Sequence, residues 1–252
     1  MSVVNEKLKL ENIRSALIRQ EDTIVFDFLE RAQFPVNEKV YKEGSEGCLN
    51  LQQTDKSFLE FLLHEEEKLY SLVRRYASPE EYPFTSDLPE PILPDFKKPF
   101  PLHRNEVNVN AEIYDYYVKE IVPKICANGN DSDNFGSTAV SDIRCLQSLS
   151  RRIHYGKFVA EAKFLANPEK YKKLIEARDS EGIINAIVDP VQEGRVLQRL
   201  HYKALTYGRD SADPTKPTDK INADTVVSIY KEYVIPMTKK VEIDYLLNRL
   251  KD

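Results

Sequence analysis

Several charged side chains fall on the apolar faces of predicted helices, where a charge needs a partner or a ligand. At 100° per residue, Arg14 lies within about 40° of Leu10 and Ile18, so we expect it to point inward. Arg152 and Lys163 are eleven residues apart. This spacing returns them to one helical face within about 20° and separates them by about 16 Å. Cations placed in this way can hold an anion between them.

Small side chains near these two cations leave room for a ligand. Gly156 and Val159 fall between them on the same face, and Cys145 and Ser148 lie behind the first cation. The positive charge of this stretch is therefore expected to face a small anion rather than bulk solvent.

Two carboxylates break apolar stripes in the same way. Glu193 shares a face with Val196 and Leu200, and Glu242 shares one with Thr238, a turn earlier. The three cations, two acids and one threonine come from four predicted helices. Such a set fits an enclosed pocket for a polyanion.

Internal ion pairs are the alternative explanation for each of these charges, because a buried charge is commonly satisfied by an opposite one. Glu21, on the inward stripe of the first helix, can simply pair with an arginine. We expect Arg151, Lys157 and Glu161 to form a solvated face. His154 is expected to be a structural or surface residue rather than a base.

The composition excludes several other classes of function. The 252 residues carry a formal net charge of -5, which argues against a general nucleic-acid binder. Cys48, Cys126 and Cys145 are far apart and show neither metal-ligand nor disulfide spacing. Phosphate-loop, dinucleotide-binding, zinc-protease and serine-hydrolase motifs are missing from the sequence. The sequence therefore supports neither a zinc site nor nucleophilic catalysis.

The first residues, MSVVNEKLKLENIR, lack the apolar run of a signal peptide and the character of a transit peptide. A run of roughly 18 apolar residues, which a membrane span needs, does not occur. We therefore expect a cytoplasmic protein that does not contact membranes.

Helical periodicity predicts an all-α fold that positions these residues. Predicted helices cover residues 8–32, 56–76, 111–126, 137–166, 168–178, 190–207 and 223–252. The run 137–166 contains no proline, and one helix of about 30 residues would span about 45 Å. Pro236 is expected either to kink the last helix or to restart it.

Residues 77–110 hold seven of the fourteen prolines, which predicts an extended crossover segment. Its apolar side chains are expected to anchor it on the body of the protein: Phe84, Ile92, Leu93, Phe96 and Phe100.

Four segments carry a resemblance to a known family. They are SLSRRIHYGKFVAEAKF (Ser148–Phe164), NFGSTAVSDIRCLQ (Asn134–Gln147), LENIRSALIRQEDTIVFDFLER (Leu10–Arg31) and IPMTKKVEIDYLLNRL (Ile235–Leu250). The chain resembles the eukaryotic all-helical chorismate mutases of fungi and plants over nearly its whole length. The resemblance implies a single helical-bundle domain over residues 1–252 with one long central helix. It also implies the [3,3] rearrangement of chorismate to prephenate, for which the family uses no cofactor or metal.

The resemblance also assigns roles to the polar residues in the predicted pocket. Arg14 and Arg152 would hold the two substrate carboxylates, and Lys163 would donate to the ether oxygen and a carboxylate. Glu242 would be protonated and donate to the same ether oxygen.

Two further residues of the predicted pocket take roles from the resemblance, and one position departs from it. Glu193 would bind the ring hydroxyl of the substrate, and Thr238 would line the site. Asp189 stands where the fungal pattern has asparagine. Followed by Pro190 and Gln192, it has the pattern of a helix N-cap, so we assign it the cap role without substrate contact.

Many members of the family are homodimers that Tyr inhibits and Trp activates at an interface site. The residues that resemble this effector site are Arg74, Arg75, Asn134, Gly136 and Ser137. Asn222, which has the pattern of a helix N-cap, replaces the threonine of the fungal switch position. The resemblance therefore leaves the sign and strength of the two responses open.

The sequence leaves two alternatives without catalysis open. The chain could be a helical interaction protein whose buried charges merely pair, or a protein that binds an aromatic metabolite without converting it. Both make the polar residues of the predicted pocket dispensable for turnover.

Overall fold

A computed structural model describes residues 8–48, 55–94, 102–209 and 221–251. These residues form helices and connecting segments without a β-strand, which confirms the predicted all-α class. The helices are α1 (Leu10–Arg31), α2 (Phe58–Leu72), α3 (Asn110–Tyr116), α4 (Val122–Ile125), α5 (Phe135–His154), α6 (Gly156–Ala166), α7 (Pro168–Glu176), α8 (Ser180–Ile187), α9 (Pro190–Tyr207), α10 (Ala223–Ile229) and α11 (Ile235–Asn248).

The helix α5 lies at the centre of the fold and packs against α1, α2 and α11. At its first turns, the buried Asp142 carboxylate accepts a hydrogen bond from Arg31 Nε on α1 at 2.5 Å. The hydroxyl groups of Tyr117 and Tyr41 donate to the same carboxylate at 2.7 and 2.9 Å. A buried ion pair needs such extra hydrogen bonds to offset its desolvation. The network therefore sets the position of α5 relative to α1.

The predicted long helix over 137–166 occurs as α5 and α6, which are interrupted only at Tyr155. Phe158 N donates to Tyr155 O at 3.0 Å, a bond three residues back that tightens the turn. A Cβ added to Gly156 would lie 2.9 Å from Thr238 O on α11. Glycine is therefore required where α6 begins against α11, and its low helix propensity favours a break at this point.

Two prolines explain two wide turns in the other helices. A π-helical turn, Tyr117–Ile121, precedes Pro123, and another, Tyr230–Val234, precedes Pro236. Proline lacks the N–H that would bond four residues back, and its ring crowds that carbonyl. The chain therefore widens for one turn and then continues, with Pro236 in the first turn of α11. Pro236 was expected either to kink the last helix or to restart it, and the structure shows that the helix restarts there.

The helix α8 was not predicted from the sequence. The Asp179 side chain caps it by accepting from Gly182 N at 2.8 Å, and Ile183 and Ile187 are buried. With only eight residues, α8 is too short for periodicity to stand out from its neighbours. It matters for the site because its last carbonyl faces the pocket.

The described parts of the crossover segment are residues 77–94 and 102–110. Ala77 ends a short 3₁₀ turn and Asn110 begins α3, and the residues between them that the structure describes contain no helix, as predicted. Phe84 packs against the core, as expected for an anchor. Ile92 and Leu93, however, are 74% and 45% exposed in the single chain, so the prediction that they anchor the segment on the body of the protein was wrong. Phe96 and Phe100 lie outside the described residues.

No helix among the described residues combines the length and the apolar content that a bilayer span needs.

Candidate active site

A cavity of about 170 Å³ lies between α1, α6, α9 and α11, with the last turn of α5 at its wall. All six residues predicted from the sequence line it: Arg14, Arg152, Lys163, Glu193, Thr238 and Glu242. Apolar side chains complete the wall, among them Ile13, Leu17 and Val159. The fold thus brings these six side chains to the wall of one cavity.

The Arg152 guanidinium is buried in the wall and has no carboxylate partner among the described residues. Its Nη1 donates to Thr238 Oγ1 at 3.3 Å, and its Nε has no hydrogen-bond partner there. The Thr238 hydroxyl donates in turn to Val234 O at 2.6 Å. A buried guanidinium with an unused donor is costly unless a ligand binds it.

Arg14 differs from its prediction in one respect. It lines the cavity, but its side chain is exposed, because the buried stripe of α1 runs through Ile13, Ile24 and Val25. Leu10, predicted on the buried stripe, is 38% exposed. Arg14 therefore stands at the open edge of the cavity, where it forms no ion pair with any described residue.

Lys163 and Glu242 face each other inside the cavity. Lys163 Nζ donates to Glu242 Oε2 at 3.2 Å and to Ile187 O, the last carbonyl of α8, at 2.6 Å. Glu242 is only 6% exposed. Burial raises the pKa of Glu242, while Lys163 and Arg152 act in the opposite direction. The carboxyl group is therefore biased toward its protonated form.

Glu193 is half-buried and pairs with a lysine that was not predicted as a site residue. Lys239 Nζ lies 2.8 Å from Glu193 Oε1, and both residues line the cavity. On α11, Thr238 and Lys239 both line the cavity. The next residue, Lys240, does not line it and pairs with Glu112 instead. At 100° per residue, Lys239 falls about 60° from Glu242 and Lys240 about 160° from it, so periodicity alone could have identified Lys239 as the lysine nearer the cavity.

Glu21 is fully buried at the far wall and pairs as the sequence suggested. Arg199 donates to both of its oxygens, at 2.8 and 3.2 Å, and Lys203 adds a third hydrogen bond at 3.2 Å. Arg199 also lines the cavity and was missed, because nothing in the sequence identifies the arginine that pairs with Glu21. This acid is neutralised by protein groups.

The Asp189 side chain caps α9 by accepting from Gln192 N at 3.1 Å, which confirms the predicted cap role. Both residues also line the cavity. Asn222 likewise caps α10, accepting from the backbone N–H of Asp224 at 2.8 Å. Because capping depends on a few neighbouring residues, it could be predicted from the sequence alone.

The prediction that Lys157 lies on a solvated face was wrong. Lys157 is fully buried, donates to Val107 O, and lies 3.8 Å from the centre of the Tyr82 ring. Burial lowers the pKa of Lys157 to about 7. His154 is buried beside it and accepts from Val109 N at 3.1 Å, so it is structural, as expected. Burial and Lys157 lower the pKa of His154 to about 3.

Glu161 was also assigned to a solvated face and is also buried. It accepts from Arg249 Nε and from the Tyr245 hydroxyl, each at 2.6 Å. Arg151 is partly exposed and pairs with Glu81 in the crossover segment. These corrections share one cause, because distant segments cover the side of α6 that periodicity assigned to solvent.

The predicted effector residues lie at opposite ends of α5. Arg75 follows α2 and donates to Glu81 at 3.2 and 3.3 Å, and Arg151 in the last turn of α5 binds the same carboxylate. Gly136 and Ser137 open α5, fifteen and fourteen residues before Arg151. At 1.5 Å per residue, the two groups are about 20 Å apart along the helix. One chain therefore does not bring them together.

Comparisons with known proteins agree with this architecture. Residues 135–243 match the family model described as chorismate mutase type II. The chorismate mutase of Schizosaccharomyces pombe is 78% identical over 250 residues, which cover 99% of this chain and 100% of that protein.

Two solved structures are similar over almost the whole chain. The crystal structure of Aro7p chorismate mutase from Candida albicans, in complex with L-Trp, has a TM-score of 0.93 and 45% identity, covering 99% of this chain and 94% of that one. AtCM1 with tyrosine bound in its allosteric site has a TM-score of 0.86 and 40% identity, covering 98% of each chain.

Proposed function

This chain belongs to the family of all-helical chorismate mutases of fungi and plants, and we propose that the cavity lined by Arg152 and Glu242 is where it converts chorismate to prephenate. The family membership establishes the activity as that of a chorismate mutase. The roles of the individual side chains rest on the geometry of the cavity.

The observation that carries this assignment is the pairing of charges in the cavity wall. Lys163 donates to the Glu242 carboxyl group, and two further cations of the cavity form ion pairs, Arg199 with Glu21 and Lys239 with Glu193. Arg14 and Arg152 have none among the described residues. Two guanidinium groups that form no ion pair match the two carboxylates of chorismate, and each can form paired hydrogen bonds that also fix orientation.

The rearrangement is unimolecular, so the site must hold a compact conformer of the substrate and stabilise charge on the breaking ether bond. Lys163 and a protonated Glu242, 3.2 Å apart, are placed to donate to one ether oxygen. Ile187 O holds the ammonium group from the other side at 2.6 Å. Donors positioned before the reaction cost no reorganisation in the transition state.

A direct test follows the loss of the chorismate ultraviolet absorbance after addition of purified protein. We expect turnover by the wild-type protein and a loss of at least a hundredfold in kcat/KM for Arg152→Ala. Full activity of that variant would exclude this cavity as the catalytic site. Neither a helical interaction protein nor a metabolite-binding protein would consume chorismate.

We further propose that the chain is regulated as a homodimer, with catalytic and effector sites in the same domain. The Candida albicans relative was solved with L-Trp, and AtCM1 with tyrosine in its allosteric site. Arg75 shares Glu81 with Arg151, which is about 20 Å along α5 from Gly136, so one site that uses both Arg75 and Gly136 needs a second chain. The first turn of α5 offers free N–H groups to an amino-acid carboxylate, and Arg75 of the other chain offers a cation.

Exposed apolar residues support this proposal. Leu69, Val73, Ile92 and Leu93 are 45–74% exposed at the end of α2 and in the crossover segment. Ile92 N donates to Leu72 O at 3.0 Å, which joins the two segments into one patch. Contiguous exposed apolar surface is typical of a protein interface.

A cytoplasmic location stays a prediction from the sequence.

A further inference from the structure

Lys239 on α11 reaches across the mouth of the cavity to Glu193 on α9. Its Nζ lies 2.8 Å from Glu193 Oε1 and donates to Oε2 at 3.0 Å, so both carboxylate oxygens face the ammonium group. The helix α9 packs chiefly on α10 and α1, whereas α11 packs on α6, α5 and α8. The ion pair therefore spans the cavity between two helices that are supported elsewhere.

The exposure of this pair argues against a mainly structural role. The two side chains are 29% and 30% exposed, and ion pairs this accessible to water contribute little to stability. Their orientation does matter, since without Lys239 the Glu193 carboxylate would be free to turn outward to solvent. Lys239 limits the positions available to a carboxylate that lines the cavity.

We propose that Lys239 is a positioning residue that holds the Glu193 carboxylate in place to accept a hydrogen bond from the ring hydroxyl of the substrate. The inference rests on the proposed role of Glu193 and deepens it, because it explains how a half-buried carboxylate keeps one orientation. In this role Lys239 contributes to substrate recognition and does not stabilise charge on the breaking bond.

The kinetic test compares Lys239→Met with Lys240→Met, a matched control on the same helix. Lys240 pairs with Glu112 away from the cavity. We expect Lys239→Met to raise KM for chorismate about tenfold, with kcat within twofold of wild type, because one hydrogen bond to a charged group is weakened. Lys240→Met should match wild type, and Lys239→Arg should restore most of the affinity.

A substrate analogue without the ring hydroxyl separates positioning from a general charge effect. Wild type and Lys239→Met should bind it equally well, and Lys239→Met should add nothing in a Glu193→Gln background. Equal losses with chorismate and with the analogue, or an additional loss in the Glu193→Gln background, would overturn the proposal. Unchanged kinetics of Lys239→Met would do so as well.

Failure of wild type to convert chorismate, or full activity of Arg152→Ala, would instead refute the proposed function.

Discussion

Lys163 Nζ and Glu242 Oε2 lie 3.2 Å apart in the cavity, although their residues are 79 positions apart in the chain. The ammonium group is held by Ile187 O, and the carboxyl group is almost completely buried. The pair therefore combines a fixed cation with an acid whose pKa is raised by burial. This relationship carries the chemistry proposed for the site and leads to the first two predictions.

The activity of the wild-type enzyme should fall as pH rises, because Glu242 must keep its proton to donate to the ether oxygen. Its raised pKa extends the protonated form above the usual range of a glutamate, and deprotonation at higher pH removes the donor. Glu242→Gln keeps a donor at every pH and should flatten the profile. We would measure kcat from pH 4 to 9 for both proteins. A variant whose activity still fell steeply above neutrality would contradict this role.

Lys163→Ala should lower kcat by about 10²–10³, the usual cost of losing one preorganised donor to a developing oxyanion. The protein should stay folded, because Lys163 is partly exposed and Ile187 O can bind water instead. Steady-state kinetics with circular dichroism as a folding control measures this effect. A change in KM alone would place Lys163 in substrate binding rather than in transition-state stabilisation.

Arg152→Ala should cost more than Arg14→Ala, because Arg152 is 5% exposed and Arg14 stands in solvent at the cavity edge. We expect kcat/KM to fall about 10²–10³-fold for Arg152→Ala and about tenfold for Arg14→Ala, since solvent screens the exposed charge of Arg14. Arg19→Ala, an exposed arginine on the same helix outside the cavity, is the control and should match wild type. The reverse order would mean that the exposed guanidinium is the principal carboxylate anchor.

Tyrosine should raise the apparent KM for chorismate, and Arg75→Ala should abolish this effect. The guanidinium that binds Glu81 in the free chain is expected to bind the effector carboxylate in a dimer. Kinetics at millimolar tyrosine measure the inhibition, and the molar mass in solution shows whether the chain forms a dimer. Arg195→Ala, an exposed arginine on α9, should keep the response. Unchanged kinetics of wild type at millimolar tyrosine would place this enzyme among unregulated members, and a monomer that still responded would exclude the two-chain site.

The contribution of Lys157 to the stability of the protein should rise between about pH 7 and pH 10. Burial lowers the pKa of Lys157 to about 7 in the folded state, against roughly 10.4 for an exposed lysine. Between these values the unfolded chain binds the additional proton at this residue, so the contribution of Lys157 to the free energy of unfolding increases with pH. Lys157→Met should reduce this slope. Urea unfolding at several pH values measures it, and an identical slope in both proteins would show that Lys157 is charged when folded.

Local chemistry in the sequence was sufficient to predict part of this fold and site. The caps at Asp189 and Asn222 depend only on the next few residues, and both were found where predicted. The periodic helices were predicted within a few residues of their observed bounds, except for the break at Tyr155 and the short α8. Helical spacing also placed Arg152 and Lys163 on one face, and both line the cavity.

What only the tertiary structure decided is which segment covers each helix face. Lys157 and Glu161 were expected in solvent and are buried, whereas Arg14 was expected inside and is exposed. A helical wheel gives the angle between two side chains, but burial depends on contacts between segments many residues apart. The sequence by itself therefore determined the helices, their caps and the family, and packing between distant segments decided which charges meet in the cavity.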